Sequence, residues 1–337
     1  PVTILNNKFL ANSDFFTGAF PAEYGNGLAG VFDLKMRNGN NEKLEFSGQL
    51  GFLGTELMAE GPISKKSGSS FLATYRYSTL QLFQFLGINV GTDAIPQYQD
   101  GAFRLNFPLK SGANISFFGI GGTSTIDIIL SQDTVPDNET LIYGSNDRDQ
   151  YFSSRMGVAG LSYTHPVNER TYIKTTFSAS NSWIKAHHDF LPRYVEQGEY
   201  TYVAPYNKDN LPSILDYVFR ENKYSAYFFI NRKFNKQASM KAGINADLFD
   251  LYYQDSARVM SFDLNNELTV EDWKTRWNST ATPLLLQPYV QMKYKFSDKW
   301  AASWIVGAIY NEADDETETE RYYTTLRGDY SITDRWY

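Results

Sequence analysis

The sequence predicts an all-β protein, a transmembrane antiparallel up-and-down β-barrel, and three observations carry that prediction. The first is compositional. Phe, Tyr and Trp number 24, 24 and 6 among 337 residues, yet mean hydropathy is −0.41. No window approaches the ~18–20 unbroken apolar residues that a membrane-crossing helix needs. The second is period-2 alternation: Leu286, Pro288, Val290, Met292, Tyr294 and Phe296 fall on one face, Gln287, Tyr289, Gln291, Lys293 and Lys295 on the other. Helical spacing would scatter both sets, whereas a strand separates them. The third is that connections alternate between short and long, as they do in outer-membrane barrels.

Taken in order, strands are expected at 44–52, 55–61, 69–77, 98–107, 114–123, 151–165, 171–184, 224–233, 239–253, 286–296, 300–310 and 321–331. That is about twelve, each long enough for a tilted crossing of the hydrocarbon layer. Short turns are expected at 64–68, 109–113, 166–170, 231–237, 296–299 and 332–335. Long connections are expected at 79–97, 126–150, 190–220 and 255–283, with two shorter ones at 53–54 and 311–320. Connections of one parity are short and nearly all of the other parity are long. A sandwich gives no reason for that sorting. Tyr75, Tyr77, Trp183, Trp300, Trp304, Tyr322 and Tyr323 near strand ends fit interfacial girdles. A soluble all-β protein with aromatic core faces stays open as the alternative. In lipid a sheet must close, so twelve strands is a lower bound.

Composition excludes several classes. The formal charge of −7 argues against general nucleic-acid binding, which needs a basic face to replace phosphate counterions. With no cysteine, disulfide scaffolds and thiolate chemistry are excluded. A hydrophobic fraction of 42% excludes a disordered chain. Length allows about two ordinary domains or one large all-β domain. Pro1 begins without an initiator Met or a signal segment, and the strand pattern is unfinished at Tyr337, so the chain reads as a fragment.

The first forty residues lie outside the strand–loop rhythm. Gly25, Gly27 and Gly30 match G-x-G-x-x-G in form, but a strand follows where a dinucleotide site needs a helix. The run Gly18-Ala19-Phe20-Pro21-Ala22-Glu23-Tyr24-Gly25, leading into Gly30-Val31-Phe32-Asp33-Leu34-Lys35, resembles the end of the plug domain of TonB-dependent outer-membrane transporters. Gly61-Pro62-Ile63-Ser64-Lys65-Lys66 looks like that family's first periplasmic turn, and the likeness continues into Tyr75-Arg76-Tyr77. It is closest to the branch that often carries a carboxypeptidase-regulatory-like domain ahead of the plug.

The resemblance implies a 22-stranded barrel in the full protein, of which residues 1–40 are the end of the plug and 41–337 the first part of the barrel. It further implies the bacterial outer membrane, with long loops extracellular and short turns periplasmic. Uptake of a ligand would be powered by the TonB–ExbB–ExbD complex, with a TonB-box upstream of Pro1. Outer-membrane lipids, an unknown small ligand, and a surface lipoprotein or other outer-membrane subunits are the partners to expect. Tyr24, Gly25, Gly27 and Gly30 are assigned to the plug–barrel junction, glycine being the residue that reaches positive φ cheaply. The alternative is a non-transporting barrel serving as scaffold or accessory subunit; a porin-like pore is disfavoured by a plug segment filling the lumen.

No cofactor, metal site or catalytic residue is expected. His187-His188-Asp189 is the one histidine cluster, but neighbours on an extended chain point apart, so it reads as a polar strand end running into a loop. His165, beside Pro166 in an expected turn, is given no role. The acidic run 311–320 has no turn glycine for Ca²⁺ and reads as solvated charge near the mouth. Residues 79–90 form a short amphipathic piece for the barrel rim. No nucleophile-elbow, zincin or phosphate-loop motif occurs.

Overall fold

The computed structural model describes residues 4–17, 20–25, 27, 29–51, 54–78, 96–136, 145–263, 267–297, 300–312 and 321–332. The amphipathic piece at 79–90 and the acidic run beyond Glu312 lie outside the described residues.

An N-terminal segment comes first, with β1 (Asp14–Phe16), a single 3₁₀ turn at Ala22–Tyr24, and β2 (Val31–Asp33). The strands that follow are β3 (Glu45–Leu50), β4 (Thr55–Ser64), β5 (Ser69–Tyr77), β6 (Gln97–Pro108), β7 (Asn114–Ile128), β8 (Arg148–Asn168) and β9 (Thr171–Phe190). The hairpin β10 (Arg193–Glu196) and β11 (Glu199–Tyr202) precedes β12 (Ser213–Lys233) and β13 (Ala238–Ala257). A second small hairpin, β14 (Met260–Phe262) and β15 (Leu268–Val270), leads to β16 (Lys274–Ala281), β17 (Leu284–Lys295), β18 (Trp300–Glu312) and β19 (Arg321–Ile332).

Twelve of these form one antiparallel sheet in the order β3-β4-β5-β6-β7-β8-β9-β12-β13-β17-β18-β19. Every pairing joins neighbours along the chain, with only the small hairpins and β16 intervening. β16 extends the line of β17 and pairs with the far end of β13. The predicted sorting of connections holds. At one end β4/β5, β6/β7, β8/β9, β12/β13 and β17/β18 are joined by short turns; the longer connections leave from the other end, where the short 51–54 link also lies.

Several strands are longer than the alternation predicts, most of all toward the long-loop end. β12 starts at Ser213, where 224 was expected, and β9 runs to Phe190 past the expected 184. Asp216, Arg220, Glu221, Asn222 and Lys223 look like loop by polarity, yet they stay in register with both neighbours. A strand that has left an apolar layer needs no apolar face, because its hydrogen bonds come from the adjacent strands. His165 and Pro166 also lie within β8 and not in a turn; a register shift between Pro166 and Asn168 accommodates the proline, which has no N–H to donate.

Alternation gives the sheet two unlike faces. On the outer face, successive rungs across β8, β9, β12 and β13 read Tyr163-Thr175-Phe228-Ile244, Leu161-Phe177-Ala226-Ala246 and Ala159-Ala179-Tyr224-Leu248. Next come Gly157-Asn181-Asn222-Asp250 and Arg155-Trp183-Arg220-Tyr252. Phe103, Phe117, Phe177, Tyr224, Val290, Met292, Trp304 and Val306 all project from this face and are exposed. From the short-turn end to the Asn181 rung the apolar band measures ~25 Å across, at ~3.3 Å per residue and a tilt of ~40°. The inner face is polar, with Ser154, Ser162, Thr176, Ser178, Ser180, Ser182, Glu221, Lys223 and Ser225 among its residues, and the N-terminal segment lies on it.

Candidate functional site

The N-terminal segment is a narrow ribbon. β1 pairs with β2, and the pairing continues through Ala11 N–H to the Lys35 carbonyl (2.7 Å) and Arg37 N–H to the Phe9 carbonyl (3.0 Å). Both ends of this ribbon are fixed to the inner face, at two places four or more strands apart.

The first anchor lies on β4, β5 and β6. Arg37 donates from Nη1 and Nη2 to the two carboxylate oxygens of Glu60, at 2.7 and 2.8 Å, and from Nε to the Lys8 carbonyl at 2.5 Å. The Asn40 N–H also donates to Glu60 (2.9 Å), whose side chain is only 8% exposed. Lys8 pairs with Glu56 at 2.8 Å, and Arg104 Nε donates to Asn38 Oδ1 at 2.7 Å. Phe9, Leu72 and Ala102 close the anchor with an apolar cluster backed by Met36, Met58 and Ile120. Burying Phe9 and Leu72 contributes ~1.5–3 kcal/mol each. A doubly hydrogen-bonded buried ion pair adds geometric definition more than net stability.

The second anchor is the 3₁₀ turn. Ala22 packs with Phe229 of β12, Tyr289 of β17 and Ile305 of β18. Glu23 pairs with Lys241, whose ammonium also sits 4.3 Å from the centroid of the Phe229 ring. The Glu23 carbonyl accepts from Asn245 Nδ2 (2.9 Å), and the Ala22 N–H reaches Gln291 Oε1 (3.4 Å). Tyr24 donates to Asp33. Burial pushes its hydroxyl well above the usual phenol range, and the Asp33 and Glu23 carboxylates act in the same direction.

Tyr24 and Gly25 end the turn that makes this second anchor, whereas Gly27 and Gly30 lie against Val31 and Phe15 within the N-terminal segment itself. Their expected positive φ is not found. Gly25 has φ −59°, and neither Gly27 nor Gly30 is in the left-handed region. Closeness matters instead at two of them: a Cβ on Gly27 would meet Val31 Cγ2 at 3.0 Å, and one on Gly30 would meet the Phe15 ring at 3.2 Å. The chain itself passes into the sheet at Gly39, where an added Cβ would fall on the Phe71 carbonyl.

Beyond the ribbon, toward the long-loop end, the inner wall is aromatic. Tyr217 and Phe219 stack at 4.9 Å, Phe219 meets Tyr253 edge-on at 5.4 Å, and Lys223 Nζ lies 5.6 Å from the Phe249 ring. Asp255, buried beside Tyr217, accepts from Arg276 at 2.6 and 3.0 Å. His187 and His188 are on opposite faces of β9 as alternation requires, and His187 Nε2 meets Asp189 at 2.9 Å. Among the described residues no group of three or more His, Asp or Glu is gathered closely enough to hold a metal.

Connections at this end are packed together. Ile128, Leu130 and Leu191 form one cluster, and Phe190, Ile214 and Met260 another, so adjacent residues of a single chain enter both. Buried Asp149 accepts from the N–H groups of Leu130 (2.7 Å) and Ser131 (2.9 Å). Arg193 donates to the Leu130 carbonyl (2.9 Å) and covers the Tyr200 ring at 3.6 Å. Three connections thus make one rim.

No protein-family model matches the sequence, and no curated protein matches it. The fold does have solved counterparts. The chain is similar to BauA, the ferric preacinetobactin receptor from Acinetobacter baumannii, with TM-score 0.55 and 10% identity over 88% of this chain and 46% of that one. It is also similar to the siderophore receptor PiuA from the same organism, with TM-score 0.51 and 10% identity over 89% of this chain and 47% of that one. The chain spans about half the length of these receptors, and at such identity the likeness concerns the fold.

Proposed function

We propose that this chain is the end of a plug and the first part of the barrel of a TonB-dependent transporter, which takes up a ligand across a bacterial outer membrane. The observation that carries the reading is the ribbon doubly anchored on the polar face of a twelve-stranded antiparallel sheet whose other face is apolar. A plug held inside a barrel needs this arrangement, whereas a soluble sandwich would bury its apolar face against a second sheet. The fold likeness to two receptors of that architecture supports it.

In this reading the short turns face the periplasm and the rim faces outside. Ligand enters past the rim and meets the aromatic wall of Tyr217, Phe219 and Tyr253 above the plug. Binding must favour a plug state that exposes the segment gripped by TonB–ExbB–ExbD. The two anchors, with residues 1–40 as plug and 41–337 as barrel, are what the pull must rearrange. A carboxypeptidase-regulatory-like domain, as in one branch of the family, would precede the plug.

The test is a titration of the full-length protein, in mild detergent, with the periplasmic domain of TonB. Saturable binding is expected, and no binding overturns the reading. Transport through plug movement is then tested with cysteines at Glu23 and Asn245. Oxidation should arrest uptake and reduction restore it, in a chain whose own 337 residues hold no cysteine.

A further inference from the structure

The outer face carries a cationic cluster that neither the plug nor the ligand path uses. Across four adjacent strands, one rung reads Arg155, Trp183, Arg220, Tyr252. The Arg155 guanidinium lies 4.9 Å from the Trp183 ring centroid, and that of Arg220 5.5 Å from the Tyr252 ring. Lys185 projects from the same face one rung further out. Arg220 is partly offset by Asp250 at 3.8 Å, and Asp250 also accepts from Asn222 (2.8 Å). Arg155 and Lys185 meet no carboxylate within 4 Å among the described residues.

The level of this cluster matters. It stands where the apolar rungs end, one step above Gly157-Asn181-Asn222-Asp250, so its charges face lipid headgroups sideways and do not face the aqueous mouth. Directly beneath, the tall apolar side chains are interrupted. Three shallow hollows of about 600, 490 and 540 Å³ share lining residues and run into one trough. Gly101, Gly121, Gly157, Ala159 and Ala179 form its floor, Tyr75 and Tyr224 stand at its sides, and Arg155 closes its upper end.

We propose that this is a seat for one outer-leaflet lipid with a phosphorylated headgroup, its phosphate on Arg155 and Lys185 and an acyl chain in the trough. Charge complementarity selects the occupant: an unpaired pair of cations at headgroup depth suits a phosphate, and an apolar trough below it suits the chain attached to that phosphate. A neutral lipid would fill the trough but leave both cations without a counter-ion. The inference rests on the outer-membrane reading above.

The two are tested separately. Membrane fractionation comes first, and absence of the full-length protein from the outer membrane overturns both. The protein is then moved into phosphatidylcholine nanodiscs with added diphosphoryl lipid A, with the same lipid stripped of its phosphates, or with inorganic phosphate. Native mass spectrometry counts retained lipid, and heat-modifiability on gels reports unfolding. Phosphorylated lipid should be retained and raise the unfolding temperature by several degrees, and the other two additions should not. R155Q/K185Q, and separately Ala179→Phe to fill the trough, should lower retention at least five-fold. Equal retention of the dephosphorylated lipid, or a response to phosphate alone, overturns the seat without touching the transporter reading. The wild-type arms decide this even where a variant fails to fold.

Discussion

The guanidinium of Arg37 donates to both oxygens of the Glu60 carboxylate, with hydrogen bonds of 2.7 and 2.8 Å, and so ties the ribbon to the second strand of the sheet. Glu60→Gln keeps the shape but leaves Arg37 without its counter-charge, at a cost of ~3 kcal/mol for half of a buried pair. Trypsin should then cut after Arg37 at least ten-fold faster than in the wild type. An unchanged cleavage rate would show that the pair does not hold the ribbon.

Gly39 and Gly25 should respond oppositely to alanine. At Gly39 the new methyl group collides with backbone, which cannot yield as a side chain does, so Gly39→Ala should release the ribbon or prevent folding. Gly25→Ala places its methyl 3.8 Å from the Ala22 carbonyl with φ already −59°, and should change stability by less than about 0.5 kcal/mol. Thermal unfolding of both variants checks the contrast.

Asp149 holds the rim through two charge-assisted bonds to the backbone. Each is worth ~1.5–3 kcal/mol, and Asp149→Asn weakens both while keeping an acceptor. Amide exchange at Leu130 and Ser131 should accelerate at least ten-fold, with exchange in β8 near its short-turn end unaffected. Equal exchange would mean the hydrophobic clusters suffice.

Lys241→Met removes the charge opposite Glu23 and keeps the apolar stem over Phe229. Glu23 is then left facing β13 without a cation, and the 3₁₀ turn should detach while the first anchor holds. Spin labels on the turn and on β17 should give a broadened distance distribution. A distribution in the variant as narrow as in the wild type would contradict this.

Tyr24 makes the second anchor sensitive to alkali. Its folded pKa is raised above the ordinary value of 10.0, so the neutral phenol stabilises the fold below pH ~10 and that contribution is lost as pH rises above it. The loss in stability between pH 9 and 11 should be smaller in Tyr24→Phe than in the wild type. Parallel curves would remove Tyr24 from the effect.

Much of the fold was legible because alternation and turn length are local signals. Leu286–Phe296 and Trp300–Tyr310, joined by a short turn, read as a hairpin, and they pair antiparallel with Val290 opposite Val306 and Met292 opposite Trp304 on one face. Strand ends beyond the apolar band were not legible. Residues such as Arg220 and Asn222 satisfy a strand through pairing with neighbours far away in sequence. The anchors were legible only in part. Tyr24 to Gly30 stood out as a motif, but the wall residues Lys241, Asn245 and Gln291 are single polar positions among many inward ones. Glu60 did leave a trace, since it shares the inward face of β4 with Glu56 and Met58, where a run of charge has to be met by something. Gly39 left none: its constraint comes from a carbonyl thirty-two positions further along the chain.

The overhang of β8, β9, β12 and β13 bears on how charge reaches an arriving ligand. From Arg220 to Ser213, β12 climbs a further seven residues, roughly 15–20 Å above the headgroup level in the proposed orientation. Ions of physiological strength damp a field over ~8 Å. The entrance therefore stands about two screening lengths clear of the anionic membrane surface. In the proposed transporter a ligand there would respond to the protein's own carboxylates and cations and hardly at all to the bilayer, so that negatively charged cargo could approach a negatively charged cell.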